Sequence, residues 1–341
     1  LATVLRNGGV RFARVWGVVL ASSLLATVGW SQSLIWLGTL PGGSRSQAYG
    51  VSADGSVVVG GADNADGRGR AFRWENGFMQ DIGRLLDHSV AYGVSADGSV
   101  VVGGASTDPT QRVFLRRAFR WTQVTGMQDL GTLGGDYSWA YGVSADGSVV
   151  VGWSDYADGQ YRAFRWVLTD PNTGAGVMQD LGTLPGSEGS VAHGVSADGS
   201  VVVGWADNAA RLPRAFRWEN GVMQDLGTLG GNLSRAYRVS ADGSVVVGYA
   251  TNAAGRSRAF RWTQAGGMED LNITYARLLT DGSNLSEARA ISPDGRYIVG
   301  YGFNATTWRV EGFLLDTRLS GDVNGDGCVN DVDLLRVLFA F

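Results

Sequence analysis

The phrase AYGVSADGSVVVG returns along this chain, and that recurrence limits the fold more than any bulk property does. It stands at 48–60, 91–103 and 140–152, becomes AHGVSADGSVVVG at 192–204 and AYRVSADGSVVVG at 236–248, and decays to ARAISPDGRYIVG at 288–300. The turn aspartates Asp54, Asp97, Asp146, Asp198, Asp242 and Asp294 follow one another at 43, 49, 52, 44 and 52 residues. A fixed core at variable spacing describes a constant framework joined by variable loops. A period of about 40–50 residues belongs to solenoids, propellers or arrays.

Each copy holds four strand-like pieces. Y-G-V-S is followed by A-D-G-S, where Asp-Gly supplies the positive-φ position of a tight hairpin. V-V-V-G is a β-branched run suited to a pleated sheet. A-F-R-W comes next, at 71–74, 118–121, 163–166, 215–218 and 259–262, with Phe and Trp on one face and Arg on the other. The fourth piece is M-Q-D-L-G-T-L. Four strands per unit make a propeller blade, and a radial array protects sheet edges. Phe and Trp of each blade are expected to pack on the Val face of the next. The sixth copy stops at Gly312-Phe313-Leu314-Leu315, while Ile35-Trp36-Leu37-Gly38-Thr39-Leu40 precedes the first. The expected fold is therefore all-β: a six-bladed β-propeller of four-stranded blades over 34–317, closed when that N-terminal strand completes the last blade. A short calcium-loop and helix segment follows at 321–341.

The pairing of R-A-F-R-W with M-x-D-L-G-T-L, and V-S-A-D-G-S-V-V-V-G between, resembles the HAF-type extracellular repeat of bacterial exported proteins over roughly residues 35–315. That resemblance implies export and a propeller-like array, and no reaction. Ser292-Pro293-Asp294-Gly295-Arg296 in the sixth copy resembles the hairpin of TolB-type propellers.

Composition removes several chemistries. The net charge of −4 gives no basic patch for nucleic acid. Every basic residue among the 28 is Arg, so a P-loop lysine and a Schiff-base lysine are both excluded. With one cysteine, Cys328, and two histidines, His88 and His193, no intrachain disulfide or Cys/His zinc cluster can form. Arg6, Arg11 and Arg14 precede an apolar run from Val15 to Trp30, the pattern of a signal peptide over 1–31. The run is short for a membrane span, so the expected location is extracellular or the bacterial cell surface, with no span after signal removal.

The tail reads D-V-N-G-D-G-C-V-N-D-V-D and then L-L-R-V-L-F. In EF-hand order Asp322, Asn324, Asp326, Cys328 (through its carbonyl), Asn330 and Asp333 would converge oxygen ligands on Ca²⁺, with Gly327 at the sharp turn. The following apolar residues suit one helix face. With its Asp at position twelve and L-L-x-x-L after it, the segment resembles one repeat of a type I dockerin. That implies docking to a cohesin-like receptor. It departs from the family in being a single repeat and in carrying Asp331-Val332 at the usual recognition positions.

Within the propeller, groups that recur in every blade read as structure. The turn aspartates belong to their turns, and the Arg of A-F-R-W is expected to pair with the strand-four aspartates Asp81, Asp129, Asp180, Asp225 and Asp270. Groups that vary are better binding candidates. After V-V-V-G come Trp153, Trp205, Tyr249 and Tyr301, whose faces could stack on sugars or simply fill seams. Asp155, Tyr156, Asp207 and Asn208 sit in loops expected to share one face with the four-to-one loops. His193 replaces the Tyr of A-Y-G. Two classes of function follow: a non-catalytic propeller that binds glycan or extracellular protein, or a carbohydrate-active enzyme delivered by its tail. An asymmetric acidic pocket on the axis would favour the enzyme.

Overall fold

The computed structural model describes residues 34–108, 110 and 115–318; the expected signal peptide at 1–31 and the expected calcium-loop segment at 321–341 lie outside them. From Leu37 onward six antiparallel sheets succeed one another around an axial cavity. The first blade has strands Ser46–Val51, Val57–Asp63, Gly69–Glu75 and Phe78–Asp81, in that spatial order, and four further blades repeat it. The sixth has three strands, Asn284–Ile291, Tyr297–Asn304 and Arg309–Asp316. The first strand of each blade lines the axis. The repeat builds this framework because alternation gives each sheet two apolar faces.

Successive blades bury one face against another. Val100, Val102 and Ala118 of blade two meet Val150, Phe164 and Trp166 of blade three in one cluster. Phe and Trp therefore pack on the Val face of the preceding blade, opposite to the sequence expectation. The register explains it: Val101 pairs with Trp121 and Val150 with Trp166, so the middle valine shares the aromatic face and the outer two point to the next blade.

A serine stitches three of the seams. Ser190 donates its hydroxyl to the Gly182 carbonyl at 2.6 Å and accepts the Ala163 N–H at 2.9 Å, and it is fully buried. Ser138 and Ser234 do the same in their blades. On the far side, a second ladder runs between hairpin turns. Ala53 N–H donates to Ala96 O, Ala96 to Ala145, Ala145 to Ala197, Ala197 to Ala241, and Ala241 to Pro293.

Three expectations need correction. The fourth strand ends at its aspartate, because the glycine of L-G-T-L takes a positive φ, as at Gly131, Gly182 and Gly227. The N-terminal segment therefore matches a turn: Gly38 has φ 76°, and Ser46 donates to its carbonyl at 2.6 Å. Residues 34–39 form no strand, and Leu37 and Leu40 pack on Phe72, Trp74 and Met79 of blade one. Among the described residues the last sheet has no fourth strand, and Val299 is 40 % exposed where its counterpart Val59 is buried. Finally, Asp81, Asp129, Asp225 and Asp270 pair with the first Arg of R-A-F-R-W, as Arg117 does with Asp129 and Arg214 with Asp225, while Asp180 accepts the Tyr156 hydroxyl. Register dictates this, since Asp129 lies opposite Phe119 while Arg120 lies opposite Gln128 on the other face. Arg120 instead donates to the Gly147 carbonyl of the next blade's turn.

Candidate functional site: the axial ring

Every first strand carries a register shift at the same place. The ladder skips Tyr49, Tyr92, Tyr141, His193, Tyr237 and Arg289, each flanked by residues that do pair. Such a bulge leaves one residue out of the ladder and re-aims its side chain. Here six bulges at one level produce a ring of side chains. Tyr49 and Tyr92 have centroids 5.2 Å apart, Tyr92 and Tyr141 5.6 Å, Tyr141 and His193 5.1 Å, and His193 and Tyr237 5.7 Å. The Arg289 guanidinium lies 4.4 Å from the Tyr237 ring centre, within cation–π range.

The residue after each bulge is glycine in four blades because neighbouring first strands approach closely. A Cβ at Gly142 would stand 3.1 Å from the His193 carbonyl, and one at Gly194 3.0 Å from the Tyr237 carbonyl. Blade five breaks that rule with Arg238. Its Nη1 donates to the bulge carbonyls of His193 and Tyr237, both at 2.9 Å. The cavity between these strands, of about 430 Å³ and open to solvent, is lined by Tyr49, Tyr92, Tyr141, His193, Arg238 and Arg289 together with the small and aliphatic residues beside them. No carboxylate is among its lining groups. Glu287 stands next to it, held by Arg289 at 2.7 Å and by the Tyr237 hydroxyl at 3.2 Å.

The charge in this quadrant is predominantly positive, with Arg289 alone paired to a carboxylate, Glu287, among the described residues. Arg235, Arg238 and Arg289 all bear on His193. Burial first, and then these three guanidinium groups, hold its imidazole down to about 3, so it is neutral across the physiological range. Burial also pushes the Arg238 guanidinium down and the Tyr92 and Tyr141 phenols up. The ring can thus accept an anion on one side and present phenol faces on the other. It offers no acid–base pair.

The residues singled out from sequence lie around this ring, committed to seams and loops. Trp153 meets Tyr161 at 6.4 Å and Tyr161 meets Trp205 at 6.1 Å, both edge-on. Arg235 caps Trp205 at 4.6 Å. Tyr249 stacks on Tyr237, and Tyr301 lies beneath Arg289. All four aromatics are half-buried. Asp155 is buried and accepts the Tyr137 N–H at 2.7 Å. The Tyr156 hydroxyl donates to Asp180, the Tyr161 hydroxyl donates to Asp207, and Asn208 accepts the Ala210 and Leu212 amides of its own turn. These loops do share one face with the four-to-one loops, as Arg211–Glu188 and Arg68–Asp87 ion pairs between them record. His88 is remote from the ring and accepts the Gly69 N–H. The expected calcium ligands Asp322, Asn324, Asp326, Cys328, Asn330 and Asp333 lie outside the described residues, and among the described residues no cluster of three acidic, His or Cys groups is suited to a metal.

Sequence reading missed Arg238 and Arg289, although both stand in the quoted repeats as departures from A-Y-G. A larger hollow of about 760 Å³ lies at the turn face, but its charged groups are spent locally. Arg120 is bound to a carbonyl and Asp146 to Ser144 and Ser148.

No family model and no curated protein matches the chain. Solved structures do. TolB from Acinetobacter baumannii is 13 % identical with a TM-score of 0.45; the match covers 66 % of this chain and 53 % of TolB, so the chain spans about half that protein's length. A putative TolB from Agrobacterium tumefaciens is 17 % identical with a TM-score of 0.45, over 70 % of this chain and 80 % of that one. The β-propeller domain of the Trilobed protease from Pyrococcus furiosus is 10 % identical with a TM-score of 0.48, over 82 % and 83 %. At these identities the likeness concerns the fold alone.

Proposed function

We propose that this chain is a secreted, non-catalytic binding propeller that recognises glycan or extracellular protein. In this reading residues 1–31 direct export, 34–317 bind, and 321–341 form a calcium-dependent attachment module for a cohesin-like receptor at the cell surface or beyond it. The observation that carries the binding role is the axial ring. It is the place where the repeat is broken, and what breaks it is cationic and aromatic. Glycoside hydrolysis uses two carboxyl groups flanking the bond, and the cavity lining supplies neither. The expected acidic axial pocket of an enzyme is thus replaced by its electrostatic opposite.

The test is to present the purified full chain with immobilised polysaccharides and extracellular proteins and to assay the same mixtures for released product. Retention with no product supports the reading; product formation overturns it. For the tail, calorimetric titration with Ca²⁺ is compared with an Asp322→Ala, Asp326→Ala variant. Saturable binding lost in the variant supports the attachment module, and no heat in the parent chain removes it.

A further inference from the structure

The axial ring also says what kind of ligand it would take. Arg238 is the decisive group. Nη1 uses both its protons on the carbonyls of His193 and Tyr237, which fixes the guanidinium plane. Nε and Nη2 have no acceptor among the described residues, and the side chain lines the cavity. Arg238 pairs with no carboxylate, because the nearby Glu287 is taken by Arg289 and Tyr237. Arg235, stacked on Trp205, likewise has a buried Nε without a partner. A guanidinium with one free edge, held in place by its other edge, is a fork for a carboxylate.

The rest of the cavity sets the body of the ligand. Tyr49, Tyr92 and Tyr141 line the rest of the cavity, and their phenols bring both ring faces and hydroxyl groups to a ligand's body. A carboxylate joined to a small ring rich in hydroxyl groups meets all three conditions, and a hexose-sized body suits about 430 Å³. A peptide C-terminus supplies the anion but few hydroxyl donors.

We infer that the axial cavity binds the carboxylate of an acidic sugar, a hexuronate, with Arg238 as its anchor and Arg289 closing the cationic side. This rests on the binding-propeller reading and narrows it to one ligand class.

The repeat itself provides variants that should fold. Arg238→Gly restores the residue found at Gly50, Gly93, Gly142 and Gly194, and Arg289→Tyr restores that found at Tyr49, Tyr92, Tyr141 and Tyr237. The full chain is titrated calorimetrically with glucuronate, glucose and acetate. Glucuronate should bind at least about tenfold more tightly than either control, and Arg238→Gly should weaken it by about 10–100-fold, the worth of a charged hydrogen-bonded pair. The double variant should abolish saturation while its thermal midpoint stays at or above that of the parent. Equal glucuronate binding in parent and variants overturns the inference, as do equal affinities for glucuronate and acetate, or no saturable heat in the parent. If glucuronate fails while the chain is still retained on a neutral glycan or a protein, only this inference falls. If sugar product appears, the broader reading falls with it.

Discussion

The propeller has two rings of side chains, one at the hairpin turns and one at the axial bulges, and they have diverged to different degrees. At the turns, all six blades keep one arrangement. An Asp accepts the hydroxyl of the preceding Ser and the amide two residues on, as Asp54 does from Ser52 and Ser56 and Asp294 from Ser292 and Arg296. At the bulges, three blades keep Tyr-Gly and the other three hold His193, Tyr237-Arg238 and Arg289-Ala290. The turn ring must be uniform because each turn hydrogen-bonds to the next. The bulge ring points into open space, so it can vary without unravelling its neighbours. Stability and recognition are thereby assigned to separate levels of the same strands.

That separation can be broken deliberately, beginning at the seams. Phe164 is fully buried between blades two and three. Phe164→Ala should cost about 3–5 kcal/mol in urea denaturation, while Val299→Ala, in the half-exposed last blade, should cost under about 1 kcal/mol. Equal costs would mean that the last blade is covered as the others are. Next comes the serine stitch: Ser190→Ala leaves the Ala163 amide and the Gly182 carbonyl without their shared partner and should cost about 1–3 kcal/mol. Circular dichroism melts would check it.

The axial level should answer to pH. His193 is held down to about 3 in the folded chain, against an ordinary value of 6.5. The unfolded chain therefore takes up a proton first, and stability is complete above pH 6.5 and falls as pH drops from there toward 3. His193→Tyr, the residue of four other blades, should remove a slope of about one proton from that limb in denaturation between pH 6 and 4.5. An unchanged slope would mean that His193 does not stay neutral in the folded chain. The smallest effect belongs to a single turn. The Asp198 carboxylate, lowered to about 2 chiefly by the Ser196 hydroxyl, supports folding above pH 3.8 and loses that support as pH falls through 2. Because the group is solvent-exposed, Asp198→Asn should cost under about 1 kcal/mol at pH 7, and the difference should shrink steadily as pH is lowered from 3.8 through 2. A cost that does not shrink over that range would locate its role in shape and not charge.

Much of the fold was legible because A-D-G-S, V-V-V-G and A-F-R-W each carry their own local instruction: a turn, a β-branched strand, an alternating face. What escaped reading were features set by register. A-Y-G looks like continuous strand, so nothing in the letters announced that Tyr92 is skipped by its ladder. The two arginines of R-A-F-R-W are equivalent by type, and only the offset between Phe119 and Asp129 decides which one meets the aspartate. L-G-T-L read as strand because its leucines are buried, as Leu181 and Leu184 are, although its glycine turns the chain. Departures from the repeat are of two kinds: the aromatics after V-V-V-G, such as Trp153 and Trp205, fill seams, whereas Arg238 and Arg289 line the axial cavity.

One proline settles a question of counting. The ladder between hairpin turns has a direction, each turn giving its amide hydrogen forward to the carbonyl of the next. Pro293 receives from Ala241 but has no hydrogen to give. A seventh turn placed after it would find no donor, and neither does the first turn, whose Ala53 carbonyl is the one such group in the ladder that receives nothing from another turn. The ladder thus ends at Pro293, a turn that can accept from its neighbour and give nothing onward.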